Sequence, residues 1–325
     1  MRVGQNPAKS IKTVSRPQKV TVAIITHVPF LGGYHAESLD ILKTCLASIW
    51  QNTDQPYDLM VFDNASCREV RDYLTDAHAR GEIQYLVLSQ DNIGKAGAWN
   101  FIFGAAPGEY VAFADSDVYF YPGWLSALLG AMKTFPQAGM VTGMPLLNPE
   151  DFSTNTLRWA EAHPEMRLES GRLLSWQDFW RHAGTLGGDE GAARAFYERH
   201  QSNCIYSGDQ KFYVGAGHFQ FLAPRHVLQQ ALPLPSSRPM GDVRQLDVAI
   251  NELGYLRLST SEWWVEHIGN SLRGWQPGEK SLARSVDEPR RARSGFWAWK
   301  PIRKLLSFLH DKSFELLYGK PSRLL

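Results

Sequence analysis

Asp115 and Asp117 stand one residue apart at the end of a short apolar run, Tyr-Val-Ala-Phe-Ala over residues 110–114. A run of that length, rich in aromatic and branched residues, reads as a buried strand. Side chains alternate along an extended chain, so both carboxylates project to one side at the strand's exit. Two anions held that close repel, unless a divalent cation that prefers oxygen ligands sits between them and a phosphate. The plain alternative is an acidic turn. Position favours the metal: the pair follows a buried strand, and similar polar exits precede it.

Those exits belong to a repeating pattern. Residues 20–26, Val-Thr-Val-Ala-Ile-Ile-Thr, are nearly all apolar or β-branched, as in a strand covered on both faces. After a turn at Gly32-Gly33, Leu39, Leu42, Leu46, Ile49 and Trp50 mark one face of a helix ending near Gln51. A second strand over 59–62 runs into Asp63-Asn64-Ala65-Ser66, and a helix over 69–79 is closed by Gly81. A third strand over 85–88 exits into Asp91-Asn92-Ile93-Gly94, followed by a helix over 95–105. This β-α-β-α alternation predicts an α/β fold, a mostly parallel sheet flanked by helices. Ligands of such sheets bind outside the carboxyl ends of the strands. Thr26, Asp63, Asn92, Asp115 and Asp117 all fall on that edge.

Further on, a helix is expected over 124–135 and a strand over 139–142. The alternation breaks down over 145–212, which holds Trp159, Trp176, Trp180, three histidines and four glycines within 184–191. This stretch reads as an insertion of helices and loops over the crevice, with Gly187-Gly188 as a hinge. Strand character resumes over 214–222, followed by a short helix over 224–230 and a longer one over 242–253 capped by Gly254. Strands over 255–259 and 263–266 precede His267. The expected organisation is a flexible arm (1–18), a domain over 19–271 and a basic tail (272–325). Within the domain, 20–145 is a first half of regular alternation, 145–212 the insertion and 213–271 a second half. From Arg273 onward there are 12 Lys or Arg against 5 Asp or Glu, a net +7. Ile302, Leu305, Leu306, Leu309, Leu316 and Leu317 fall at helical spacing there, with Arg303, Lys304 and Lys312 between them. Such a helix meets an anionic membrane surface, or docks on its own domain or on a second copy.

Composition sets outer bounds. The 325 residues, 44% hydrophobic and 21% charged, suffice for one large domain with a full core. A net charge of +1 argues against a general nucleic-acid surface. The three cysteines are scattered, in neither a disulfide framework nor a zinc-ligand spacing, which fits a reducing compartment. Residues 1–19 carry five basic residues but no apolar core, unlike a signal peptide. No run approaches the ~20 apolar residues of a membrane span. The expected location is the cytoplasm, peripheral at the inner face of the membrane if the tail makes contact.

Taken together, Val-Ala-Ile-Ile-Thr26, Phe-Asp63-Asn-Ala-Ser66, Asn92-Ile-Gly94-Lys-Ala-Gly-Ala-Trp-Asn100 and Asp115-Ser-Asp117 resemble family 2 glycosyltransferases of GT-A fold. The resemblance covers residues 20–145 well and 214–271 loosely. It implies that Asp63 contacts the nucleotide base; the alternative for Asp63 is a helix cap. Thr26, Asn92, Gly94, Lys95, Asp115 and Ser116 would be the other nucleotide-sugar contacts. Asn100 ties its helix to a neighbouring loop. Mn2+ or Mg2+ would rest on Asp117, with Asp115 and the late histidine His267. The family often has Glu-Asp before a helix ending in Gly-Tyr, one carboxylate being the general base. Here Gly241-Asp242 opens that helix, Asp247 lies within it and Gly254-Tyr255 ends it, without the Glu-Asp pair. Asp242 is the first choice for the base. Asp247 is the alternative, its plain reading being a surface carboxylate.

The implied activity is metal-dependent, inverting transfer of a sugar from a UDP- or dTDP-linked donor to an acceptor hydroxyl. The acceptor would be a glycan or lipid-linked glycan, as in the assembly of bacterial surface polysaccharide. A nucleotidyltransferase normally needs a glycine-rich, arginine-containing loop after the first strand, which His27-Val-Pro-Phe-Leu-Gly-Gly matches poorly. A dehydrogenase is disfavoured because Gly215-Ala-Gly217 lacks the third glycine and the following helix. A non-catalytic nucleotide-sugar binder or assembly partner stays open because the Glu-Asp pair is missing.

Overall fold

The computed structural model describes residues 3–240 and 243–277. Asp242 and the tail helix expected from Ile302 lie outside the described residues. In chain order the elements begin β1 (Val20–Thr26), α1 (Ser38–Asn52), β2 (Tyr57–Asn64), α2 (Arg68–Ala79), β3 (Tyr85–Ser89), α3 (Gly94–Ala105) and β4 (Tyr110–Asp115). There follow β5 (Val118–Phe120), α4 (Trp124–Thr134), β6 (Ala138–Thr142), α5 (Thr154–Ala162), β7 (Arg167–Gly171), α6 (Trp176–Ala183) and α7 (Glu190–Arg199). The series continues with β8 (Ser202–Ser207), β9 (Gln210–Val214), β10 (Gln220–Pro224), α8 (Arg225–Gln230), α9 (Arg244–Glu252), β11 (Leu256–Thr260) and β12 (Val265–His267).

The main sheet has ten strands in the order β3-β2-β1-β4-β10-β6-β11-β9-β8-β7. β3, β2, β1 and β4 are mutually parallel, as are β6 and β11, while the remaining neighbours are antiparallel. β12 and β5 form a separate antiparallel pair.

Every residue of β1 is buried, and alternation divides its side chains between two cores. Val20, Val22 and Ile24 pack with Leu42 and Leu46 of α1, Leu74 of α2 and Trp124 of α4. Ala23 and Ile25 pack on the other face with Trp99 and Phe103 of α3, Leu228 of α8 and Ile250 of α9. Each large side chain fully buried this way stabilises the fold by about 1.5–3 kcal/mol. An apolar run without alternation is therefore what this double-sided burial requires.

The insertion differs from the helices and loops expected of it. It contains α5, α6 and α7 but also β7 and β8, which with β9 extend one edge of the main sheet as an antiparallel series. Arg-Leu-Glu-Ser-Gly of β7 is half-buried at most, an outermost strand whose polar residues hide the usual period. The strand expected over 214–222 is two strands. β9 ends at Val214, Gly215 turns with φ +110°, and a Cβ there would strike Asn148. Loop 215–219 then carries His218 across to β10.

Candidate active site

The register brings the strand exits together. Thr26 pairs with Asp63, and Ile25 with Asp115. Asp115 is the last residue of β4, and a turn of Ser116 and Asp117 leads to β5. β12 pairs with β5 so that His267 lies opposite Val118, and the Ile268 N–H donates to the Asp117 carbonyl at 2.7 Å. His267 Nε2 is thereby set 3.2 Å from Asp117 Oδ2. On the other side of the ring, Thr185 Oγ1 lies 2.7 Å from Nδ1.

Burial pushes the Asp117 carboxyl up, but the bond to His267 and its charge prevail and hold it below the usual carboxylate range. Burial pushes His267 down, and the Asp117 bond and charge overcome this to raise it above its ordinary value. Asp115 is displaced upward, because burial outweighs the attraction of Lys95. The two carboxylates of the pair therefore have separate environments, one beside an imidazole and the other beside an ammonium.

Lys95 sits in the first turn of α3, with Nζ 2.6 Å from Asp115 Oδ2 and 5.3 Å from the ring centre of Trp99. The helix start is shaped by two asparagines. Asn92 Oδ1 accepts from Asn64 Nδ2 and the Gly94 N–H, each at 2.9 Å. Asn64 Oδ1 accepts from the Ile93 N–H, also at 2.9 Å. Gly94 has φ +74°, and a Cβ would come within 2.8 Å of the Arg238 carbonyl. The Lys95 N–H donates to the Pro239 carbonyl at 3.1 Å. Glycine at 94 thus admits a neighbouring stretch of the same chain. Asn100 ties α3 to that stretch, exchanging hydrogen bonds of 2.8 and 2.7 Å with the backbone of Leu234.

Asp63 is fully buried. Its carboxylate accepts from the Ser66 N–H at 3.2 Å and from Arg71 Nε at 3.0 Å. The helix-cap reading does not hold for it, since Cys67 is the residue at the start of α2. Thr26 is buried with its Oγ1 lacking a hydrogen-bond partner among the described residues.

Asp117 and His267 offer the oxygen and nitrogen donors that manganese or magnesium accepts. Asp117 Oδ1 is buried with no hydrogen-bond partner among the described residues. An orphaned buried carboxylate oxygen is costly, and a cation would satisfy it. Asp115 would need to exchange Lys95 for the ion. No three acidic, histidine or cysteine side chains are gathered at metal-binding spacing among the described residues. What would suit a cation there is the orphaned Asp117 Oδ1 beside the His267 ring.

Asp247, the alternative base, does not fit its plain reading as a surface carboxylate. It is buried, with Oδ1 2.5 Å from Arg257 Nη2 and Oδ2 3.3 Å from His218 Nδ1. Arg257 is itself 1% exposed and also donates to the carbonyls of Phe152 and Ala216. The helical pattern of α9 did not reveal this, because the partner lies on β11. Two histidines join the site unannounced. His182 of α6 packs edge-on against His267 at 5.7 Å and stacks on Phe219 at 4.8 Å. Burial pushes His182 down to about 3. Its helix is docked by Arg181, which pairs with Glu266 of β12 at 2.5 Å. His218 meets Trp99 edge-on at 6.4 Å. Both are lone histidines in irregular sequence, and no spacing in the chain marks them.

The parallel β-α-β half, with helices on both faces of the sheet, resembles the GT-A fold of glycosyltransferases. Residues 34–184, a little under half of the chain, match the family model described as glycosyl transferase family 2. The chain is 26% identical over 110 residues to the uncharacterized glycosyltransferase alr2836 of Nostoc sp., a match covering 34% of each chain. It is 29% identical over 97 residues to cellulose synthase 2 of Novacetimonas hansenii, covering 30% of this chain and 6% of that protein. These matches thus span about a third of the first relative's length and a small part of the second's. A similar solved structure is the mannosyltransferase PcManGT from Pyrobaculum calidifontis in complex with GDP-Man and Mn2+. It shows 17% identity and a TM-score of 0.44, over 94% of this chain and 66% of that one. Among the described residues, no helix is long and apolar enough to cross a membrane.

Proposed function

We propose that this protein transfers a sugar, with inversion, from a nucleoside-diphosphate sugar to an acceptor hydroxyl, using a divalent metal. The observation that carries the reading is the Asp115–Asp117 pair at the exit of β4, with an unpartnered buried oxygen on Asp117. Mn2+ or Mg2+ would be held by Asp117, Asp115 and His267, and when bound it supplies charge neutralisation to the departing diphosphate. Lys95, released from Asp115, would face the same phosphates. Thr26, Asn92 and Ser116 follow or end strands at the same edge and would contact the nucleotide sugar, with Gly94 doing so only where residues 236–239 give way. Asp63 would read a uracil or thymine N–H only by giving up Arg71, since a carboxylate is acceptor-only. The acceptor proton would pass to Asp242 or Asp247, or to a base that one of them orients. The acceptor class proposed is a glycan or lipid-linked glycan in the assembly of bacterial surface polysaccharide.

The test is release of nucleoside diphosphate from a panel of UDP-, dTDP- and GDP-sugars with manganese or magnesium. A chain that binds a nucleotide sugar but never consumes it would be a binder or assembly partner. Release of pyrophosphate from a nucleoside triphosphate plus sugar phosphate would instead make it a nucleotidyltransferase.

A further inference from the structure

We propose that His218, oriented by Asp247, is the general base that takes the proton of the attacking hydroxyl. The inference rests on the transferase reading above and goes beyond it by assigning a residue outside the family resemblance. Asp247 Oδ1 is already satisfied by Arg257, and its second oxygen faces His218 Nδ1 at 3.3 Å. A carboxylate only accepts, so Nδ1 carries the hydrogen and the lone pair of the neutral ring sits on Nε2. Nε2 has no hydrogen-bond partner among the described residues, and the side chain is about a third exposed (35%). An imidazole held by a buried carboxylate on one nitrogen and open on the other is the arrangement a proton acceptor needs.

The loop that carries His218 is held on both sides. Arg257 Nη2 donates to the Ala216 carbonyl at 2.6 Å, and the Gly217 N–H donates to Thr142 Oγ1 at 2.8 Å. The Phe219 carbonyl accepts from the Asp115 N–H at 2.8 Å, which fixes the loop to the end of β4. His218 and Lys95 both contact Trp99, so the imidazole stands on the rim that carries the acidic pair. Arg257 thus fixes both the loop and the carboxylate that orients the ring. In the step, the acceptor oxygen forms its bond to the anomeric carbon while its proton passes to Nε2. The bond from that carbon to the diphosphate oxygen breaks, and the electron pair leaves with the diphosphate. Asp247 stabilises the imidazolium that results and is a positioning residue.

The experiment measures nucleoside-diphosphate release by the full chain from UDP-, dTDP- and GDP-sugars with Mn2+, using water or methyl glycosides as acceptor. Binding of the nucleoside diphosphate is measured in parallel by calorimetry. His218→Gln is expected to lower turnover by about 10²–10⁴-fold with nucleotide affinity unchanged. Imidazole added to His218→Gly is expected to restore part of the rate. Asp247→Asn in the His218→Gln background is expected to add little, because residues acting as a unit are non-additive. Since Asp247→Asn leaves Arg257 buried without its partner, the rescue of His218→Gly carries the test if that variant does not fold. Near-parental turnover of His218→Gln, or loss of turnover in Asp242→Asn alone, overturns the assignment while leaving the transferase standing. A parent chain that consumes no sugar nucleotide overturns both.

Discussion

Lys95 Nζ lies 2.6 Å from Asp115 Oδ2, joining the first turn of α3 to the last residue of β4. The side chains are only 11% and 26% exposed, so each depends on the other for a counter-charge. Removing the ammonium alone would leave a largely buried carboxylate unpaired. Lys95→Met is therefore expected to destabilise the fold by about 1–3 kcal/mol in urea titration. Adding Asp115→Asn should recover part of that loss. A double variant no more stable than Lys95→Met would mean that the pair is not what holds these elements.

Nucleotide binding should depend on a cation. Without one, a diphosphate would approach two carboxylates, and Lys95 and His267 beside them are already engaged with them. A nucleoside diphosphate with manganese is expected to raise the melting temperature, by the equivalent of about 2.7 kcal/mol at a hundredfold excess over its dissociation constant. The nucleotide with chelator should do much less, and Asp117→Asn should remove the difference. Equal shifts with and without chelator would take the metal out of the reading.

At Gly94 a side chain meets two obstacles, the φ of +74° and the Arg238 carbonyl 2.8 Å from the would-be Cβ. Gly94→Ala is expected to destabilise by roughly 1–2 kcal/mol from the left-handed backbone alone. It should also speed proteolysis at residues 234–239, because Ser236 Oγ and the Lys95 N–H are bonded across this contact. Unchanged cleavage at that stretch would argue against the contact.

Burial pushes the Cys204 thiol up to about 12 and raises Cys45 further above its ordinary range. A raised thiol pKa means that almost no thiolate, the reactive form, exists at pH 8. Native protein is expected to react quickly with Ellman's reagent at no more than Cys67, which is half-buried, and at all three cysteines once unfolded. Rapid modification of Cys45 or Cys204 in the native state would show local opening of α1 or β8.

The basic tail is tested by truncation after Arg293. If it meets membrane, the shortened chain should be released from anionic vesicles at physiological salt while nucleotide binding persists. Loss of a dimer, or unfolding, would favour the docked-helix reading.

The sequence by itself determined the architecture of the first half of the domain. β1 to β4 and their helices follow from local pattern, since burial on both faces demands unbroken apolar runs and the turns between them are polar. The strand exits at Thr26, Asp63, Asn92 and Asp115 share an edge because parallel strands joined by helices must all point one way. Asn100 could likewise be read as a tie to a loop. Only the tertiary structure decided what each polar group faces. His267 reaches Asp117 because β12 pairs with β5, a contact between strands some 145 residues apart, as the Tyr121–Glu266 bond shows. The inward turn of Asp247 depends on Arg257, a charged residue inside a strand, where composition gives no warning of burial. His182 and His218 enter the site from an insertion and a loop with no period to read. Local propensity is set by neighbours along the chain, whereas the charge and hydrogen-bond partners of a side chain are set by whatever the fold packs against it.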